Sequence, residues 1–182
     1  RSGNVWVGTN LAGINRLKRR LVWSYELPAP MEPSIAPIVD DGEDGLWIGG
    51  VCAGLLHFRA GEFRLLDWND GLPRQCVWAL HRDADGTLWI ASPGNGLARR
   101  RDGRVDMFTP REGLPNLHVY GIARDRDGTL WAGTTAGASR LQNGRFVSYG
   151  HAEGLDHDVR CIAQDRTGAM WFGGANGLSR FK

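Results

Sequence analysis

The chain has 182 residues with 22 basic and 20 acidic side chains, and its net charge of +2 gives no electrostatic drive toward nucleic acid or an anionic lipid surface. Hydrophobic residues make up 42% and charged residues 23%, as in ordinary globular proteins, whereas 26 glycines are about twice the usual share and point to many turns. No apolar run approaches the roughly 20 residues that cross a bilayer, and Arg1-Ser2-Gly3-Asn4 lacks a signal-peptide core, so direct membrane insertion is not expected.

The first predicted strand is Val5-Trp6-Val7-Gly8. A tryptophan in the same setting returns in Asp41-Gly42-Glu43-Asp44-Gly45-Leu46-Trp47-Ile48 and in Asp83-Ala84-Asp85-Gly86-Thr87-Leu88-Trp89-Ile90. It returns again in Asp125-Arg126-Asp127-Gly128-Thr129-Leu130-Trp131-Ala132 and in Asp165-Arg166-Thr167-Gly168-Ala169-Met170-Trp171-Phe172. The tryptophans at 6, 47, 89, 131 and 171 are spaced by 41, 42, 42 and 40 residues, and a fixed period of this size means a repeat architecture.

The third repeat shows the unit most clearly. Val77 to Asp83 reads as a strand, Asp85-Gly86 as a turn, Leu88 to Ser92 as a second strand and Pro93-Gly94-Asn95-Gly96 as a second turn. Leu97 to Arg100, the turn Asp102-Gly103 and Val105 to Phe108 complete a four-stranded meander, and 42 residues hold four strands of about 5–6 residues with their turns. The other first strands are expected near Ile35, Val119 and Val159, after connectors such as Gly71-Leu72-Pro73, Gly113-Leu114-Pro115 and Gly154-Leu155-Asp156. Residues 27–33 replace the connector with a proline-rich, stiffer crossing.

A single meander buries little, so successive ones must pack face to face around an axis. The fold class is all-β: a β-propeller of four-stranded antiparallel blades of about 42 residues, here a single segment over 1–182. It divides into a partial blade at 1–27, blades at 35–69, 77–109 and 119–150, and a partial blade at 159–182. The ends duplicate two strands rather than complementing each other, which predicts an arc of a larger ring, or a five-bladed unit with irregular ends. Exposed blade faces would then be covered by further blades or an assembly partner.

The joint pattern of Gly71-Leu72-Pro73, Val77, Leu80, Asp83 through Ile90, Gly96-Leu97, Gly103 and Phe108, repeated along essentially the whole chain, resembles the two-component regulator propeller repeat. Ala138 replaces the usual Leu after Gly, and the Asp44-Gly45-Leu46-Trp47 turn is shortened. The resemblance implies the extracytoplasmic, periplasmic sensory region of a bacterial sensor, with downstream signalling domains as partners and small molecules, frequently carbohydrates or other nutrients, as ligands.

The Asp-x-Asp-Gly element suggests the start of a calcium loop, but such loops need six or more oxygen ligands, and here an apolar strand follows Gly86 at once. A turn whose aspartates cap backbone N–H groups is the better reading, with the repeated tryptophan packed between blades. Functional variation is expected at the channel mouth, where the loop between second and third strands meets the connector to the next blade. There Ala36, Trp78, Tyr120 and Arg160 differ in chemistry beside the uniformly apolar Ile35, Val77, Val119 and Val159. Trp78 and Tyr120 would offer a stacking surface and Arg160 a charge-assisted hydrogen bond, with His118, Asp158, Asn95 and Asn176 at neighbouring mouth positions.

Cys76, His118 and Asp158 are metal-capable, but first strands of different blades are not laddered together, whereas zinc ligands converge at about 2.0–2.3 Å. No metal or cofactor is therefore expected. Cys52, Cys76 and Cys161 are too few for a disulfide framework and leave the redox compartment open. No histidine joins a nucleophile and an acid in a recognisable arrangement, and the Phe-Thr-Glu that follows Trp in the similar antibiotic lyases is missing. The basic runs Arg16-Leu17-Lys18-Arg19-Arg20 and Arg99-Arg100-Arg101 map to turns opposite the mouth and are broken in other repeats, against a nucleic-acid track. The expected function is non-catalytic ligand sensing at the mouth, with a structural or protein-docking propeller as the alternative and a lyase as the third reading.

Overall fold

The structure, a computed structural model, describes residues 5–9, 13–18, 21–28, 35–50, 54–66, 70–72 and 76–182. The proline-rich crossing from residue 29 to 33 lies outside the described residues, as do Arg19, Arg20, Cys52 and Pro73, and so does the side chain of Ala36. Five antiparallel sheets follow one another along the chain, each in sequential strand order. They are β1 (Val5–Thr9), β2 (Gly13–Lys18) and β3 (Leu21–Tyr25); β4 (Ile35–Asp40), β5 (Gly45–Gly50), β6 (Gly54–Arg59) and β7 (Glu62–Leu66). Then come β8 (Ala79–Arg82), β9 (Leu88–Ser92), β10 (Gly96–Arg101) and β11 (Arg104–Phe108); β12 (Val119–Arg124), β13 (Leu130–Thr134), β14 (Gly137–Gln142) and β15 (Arg145–Tyr149); and β16 (Cys161–Gln164), β17 (Met170–Gly174) and β18 (Gly177–Phe181).

The meanders form a propeller because their first strands, β4, β8, β12 and β16, approach one another in turn while the sheets fan outward. Both faces of a middle blade are therefore covered, and every residue of β5, β9 and β13 is buried. The apolar seams are built alike. Trp47, Leu72, Val77 and Leu88 fill one, Trp89, Leu114, Val119 and Leu130 the next, and Trp131, Leu155, Val159 and Met170 the third. Trp89 and Trp131 are each 2% exposed, as expected of a core residue, whereas Trp171, with no sheet described beyond its own, is half-buried.

The Gly-Leu connector has a specific geometry. Pro110–Glu112 forms one 3-10 turn, capped by the Thr109 hydroxyl at its start and by Glu112 reaching back to the Thr109 N–H, and Gly113 ends it at φ 97°. A Cβ on Gly113 would lie 2.1 Å from the Phe146 carbonyl oxygen, so only glycine fits, and Leu114 then drops into the seam.

Two first strands start later than expected. β8 begins at Ala79 and β16 at Cys161, because Val77 donates its N–H to the Gly50 carbonyl (3.1 Å) and Val159 to that of Thr134 (2.8 Å), both on the preceding sheet. The next residue returns to its own sheet, Trp78 to the Ala91 carbonyl (3.0 Å) and Arg160 to that of Gly173 (2.8 Å). The β4–β5 and β12–β13 ladders are irregular at the same place, between Ile35 and Ile38 and between Val119 and Gly121. A local break of this kind re-aims a side chain, and here Trp78, Tyr120 and Arg160 come into contact with one another.

Candidate functional site

At the end of the blades away from the mouth, the repeated aspartate is fully engaged. Asp125 Oδ1 accepts the N–H groups of Asp127 (3.1 Å) and Thr129 (2.8 Å), while Oδ2 accepts the indole N–H of Trp131 (2.9 Å). Asp165 repeats this with Thr167, Ala169 and Trp171, and the Trp89 indole donates to Asp83 at 2.8 Å. One side chain thus caps the turn and anchors the core tryptophan, and its oxygens are taken up within the protein, as the turn reading requires.

Arg124, the last residue of β12, crosses the seam to grip both oxygens of Asp83 and also donates to the Gly128 carbonyl. Burial pushes the Asp83 carboxyl up, but hydrogen bonds from Arg124 and Trp89 outweigh it and hold the group below the usual carboxylate value. Two arginines on this side are likewise paired. Arg99 donates to Asp106 (2.6 Å) and Arg101 lies 3.1 Å from Asp85. Arg99, Arg100 and Arg101 belong to β10, and Arg16, Leu17 and Lys18 to β2, rather than to the turns.

At the mouth, the β13–β14 and β17–β18 loops and the connector before β16 enclose an open hollow of about 600 Å³, lined by Thr135, His151, His157, Asp158, Arg160 and Asn176 among others. Ligand pockets fall in this size range. Asp158 is the joint of the site: Oδ1 accepts the Ala175 N–H (2.9 Å) and Oδ2 the Arg160 Nε–H (2.5 Å). The Arg160 hydrogen bond holds the Asp158 carboxyl below its ordinary value, and Asp158 in turn raises the arginine. The Arg160 guanidinium lies over Tyr120, 5.8 Å from the ring centre, and Tyr120 meets Trp78 edge-on at 5.0 Å and 74°. Trp78 is 44% exposed.

Three of the seven residues singled out in the sequence, Asp158, Arg160 and Asn176, therefore share the hollow, and Tyr120 and Trp78 extend it along the inner strands. The gap between unladdered first strands is bridged by these long side chains. His118 sits at the rim, where its carbonyl accepts the Thr135 N–H (3.2 Å) and its Nδ1 lies 2.9 Å from Asn116 Oδ1. Asn95 stands apart, in a turn whose flanking Gly94 and Gly96 donate to the Leu117 carbonyl at 3.1 and 2.8 Å. Cys76 is disulfide-bonded and Cys161 is a free thiol, so one of the residues weighed as a metal ligand has its sulfur in a covalent bond. Among the described residues no three His, Cys, Asp or Glu side chains converge as a metal site.

The sequence reading missed Thr135, His151 and His157. His157 Nδ1 lies 2.7 Å from the Asp158 carbonyl, which can only accept, so Nδ1 carries the proton. Nε2 lies 2.9 Å from the Ser179 hydroxyl. This joins a histidine to a hydroxyl, an arrangement not legible in the sequence, but a carbonyl stands where a triad has its carboxylate. A search for chemical variation in the connector, as was made for the first strand, would have found His157, which follows Leu155-Asp156 where Leu117 follows Pro115-Asn116.

A family profile described as two component regulator propeller matches residues 71–94, 113–136 and 153–176. No curated protein matches the sequence. Among solved structures, the chain is similar to the extracellular domain assigned to the hybrid two component system BT4673 from B. thetaiotaomicron, with 20% identity, a TM-score of 0.72, and coverage of 100% of this chain and 26% of that one. For the corresponding domain of BT3049 from the same organism the values are 23%, 0.60, 99% and 32%. For virginiamycin B lyase from Staphylococcus aureus they are 19%, 0.77, 99% and 63%. The chain thus spans about a third or less of the two sensor domains and under two thirds of the lyase. At these identities the likeness shows the propeller fold.

Proposed function

From a chain built of two-component regulator propeller repeats, we propose a non-catalytic, extracytoplasmic sensory segment of a bacterial signalling protein that binds a small molecule at the mouth of the propeller. The observation that carries this reading is the continuous strip Trp78–Tyr120–Arg160–Asp158 opening on the hollow, exposed at Trp78 and Arg160 and chemically mixed on an otherwise repeated frame. A carbohydrate fits such a surface, since aromatic rings stack on sugar faces and charged groups bond hydroxyls. Binding would act by favouring one placement of the propeller relative to the domains that follow it. The Cys76 disulfide supports an oxidising compartment, and the similar sensor structures are extracellular domains. No helix among the described residues is long and apolar enough to cross a membrane.

The lyase reading rests on fold likeness, and fold alone does not carry function. Thermal shift against a panel of oligosaccharides and small nutrients tests the proposal. A compound that raises the melting temperature of the wild type, but not that of Trp78→Ala or Arg160→Ala, supports it. A panel without a hit, or a hit that both variants keep, sinks the mouth site, and turnover of any panel compound sinks the non-catalytic assignment.

A further inference from the structure

We infer that the hollow selects a ring-bearing carboxylate, its acid group held by Arg160 and its ring lying against Trp78 and Tyr120, an inference that rests on the mouth being the ligand site. The argument turns on which hydrogen-bonding atoms are still available. Arg160 is held through Nε by Asp158, and among the described residues neither Nη group has a partner. Its side chain is 57% exposed. A guanidinium gripped at one edge presents the rest of its fork in a fixed direction, the geometry that takes a carboxylate through two parallel N–H groups.

The acidic groups and His157 of the hollow, by contrast, each already hold a partner within the protein. Asp158 has one oxygen on the Ala175 N–H and the other on Arg160, so it orients the arginine instead of offering an acceptor to a ligand. Asp156 is paired with His151, and His157 is engaged at both ring nitrogens. Open to a ligand are Arg160 Nη1 and Nη2, with the exposed side chains of Asn176 and Thr135, which can donate or accept, beside them. A neutral polyol brings no charge to the two Nη groups, whereas a carboxylate accepts from both in parallel and matches the fork in charge and in shape. The adjoining wall of Tyr120 and the 44% exposed Trp78 is apolar and aromatic, and suits a ring attached to the acid.

The test follows the Trp78 indole resonance by NMR while matched pairs are titrated: D-glucuronate against its methyl ester, benzoate against benzamide, and indole-3-acetate against indole-3-acetamide. The expected result is that at least one acid moves the Trp78 signal with about tenfold or greater preference over its neutral partner, a difference of about 1.4 kcal/mol. Arg160→Gln should abolish the preference, and Arg160→Lys, which keeps the charge but loses the fork, should retain only part of it. Rising NaCl should weaken the acid and leave the neutral partner unchanged, a reading in the wild-type protein that does not depend on the variants folding. A neutral partner that binds as well as its acid overturns the carboxylate inference while the mouth site stands. Silence of the Trp78 signal toward every compound overturns both.

Discussion

Trp131 on β13 and Arg140 on β14 are direct cross-strand partners, and the Arg140 guanidinium carbon lies 5.9 Å from the centre of the Trp131 ring. The relationship recurs in Trp6 with Arg16 at 5.6 Å, Trp89 with Arg99 at 5.9 Å and Trp171 with Arg180 at 5.5 Å, each pair in register. In the β4–β7 blade His57 takes the arginine's place, stacking on Trp47 at 4.0 Å and 15°. There the aspartate changes partner too, since Asp41 Oδ2 lies 2.8 Å from His57 Nε2. Trp89, Trp131 and Trp171 are thus each held at the edge by an aspartate of the first turn and on the face by an arginine of the third strand, a three-residue device.

The aspartate is the most economical place to break that device. Asp125→Ala removes the acceptor for two backbone N–H groups and for the buried Trp131 indole. Leaving a buried donor unsatisfied costs about 1–3 kcal/mol, so the urea midpoint should fall by a corresponding amount. Asp125→Asn keeps an oxygen and should lose less. Equal midpoints for wild type and alanine variant would show that the contact contributes nothing.

Truncating the ring should grade with the packing around it. Trp131 is 2% exposed in a seam with Leu155, Val159 and Met170, and its replacement by alanine should cost about 3–5 kcal/mol. Trp171 has the same aspartate and arginine but is half-buried, so Trp171→Ala should cost clearly less. Equilibrium denaturation of the two variants side by side decides; an equal loss would mean that the edge and face contacts, not the seam, hold the residue.

The aspartate, glycine and tryptophan of the frame were legible because each satisfies the same local demand in every copy and so recurs at a fixed period. The arginines that cover the rings were not, because Arg99 and Arg100 read as a basic cluster, and their role depends on which residue faces which across a hairpin. For the candidate site, sequence variation singled out Trp78, Tyr120 and Arg160, but not that Arg160 crosses onto Tyr120 or that Asp158 orients it. Those contacts follow from the break in the first strand, where one N–H bonds to the preceding sheet and the next to its own, a detail without a residue-type signature.

A connector glycine and a hairpin-turn glycine supply a paired test. Gly113 and Gly103 both have positive φ, 97° and 77°, but a Cβ on Gly113 would meet the Phe146 carbonyl at 2.1 Å, while one on Gly103 meets nothing within 4 Å. Gly103→Ala should cost only the left-handed backbone strain, about 1–2 kcal/mol. Gly113→Ala adds a clash with main chain that cannot swing aside, and its melting temperature should fall well below that of Gly103→Ala. Coincident melts would mean that the connector shifts freely.

Cys76 is disulfide-bonded next to the mouth, whereas Cys161 is a free, exposed thiol. Removing a disulfide costs about 2–4 kcal/mol in typical cases, so dithiothreitol should lower the melting temperature of the wild type and do nothing further to Cys76→Ser. Cys161→Ser should melt like the wild type and keep its sensitivity to the reductant. Insensitivity of the wild type to reduction would show that the bridge does not support the fold.

The seam between β8–β11 and β12–β15 should be sensitive to acid through Asp83. Its carboxyl is 11% exposed; burial raises its pKa, but the bonds from Arg124 and Trp89 prevail and the folded value lies below the unfolded one of about 3.9. A depressed carboxylate contributes stability that is fully present above the unfolded pKa and is lost as pH falls through the folded one. His81, whose Nε2 lies 3.2 Å from Asp83, acts in the same direction: burial lowers its pKa, Asp83 pulls it back up, and Arg124 lowers it again, with a net depression. An imidazole that resists protonation when folded loses stability as pH falls below its unfolded value of about 6.5. Arg124→Met removes the bidentate partner and leaves Asp83 with burial opposing its charge. Its melting temperature should therefore lie below that of the wild type at pH 7, and the two curves should converge as pH falls and the folded Asp83 takes up a proton, first in the variant and then in the wild type. A gap between the curves that does not change from pH 7 down to acid unfolding would show that Arg124 acts by packing alone, without holding the Asp83 charge.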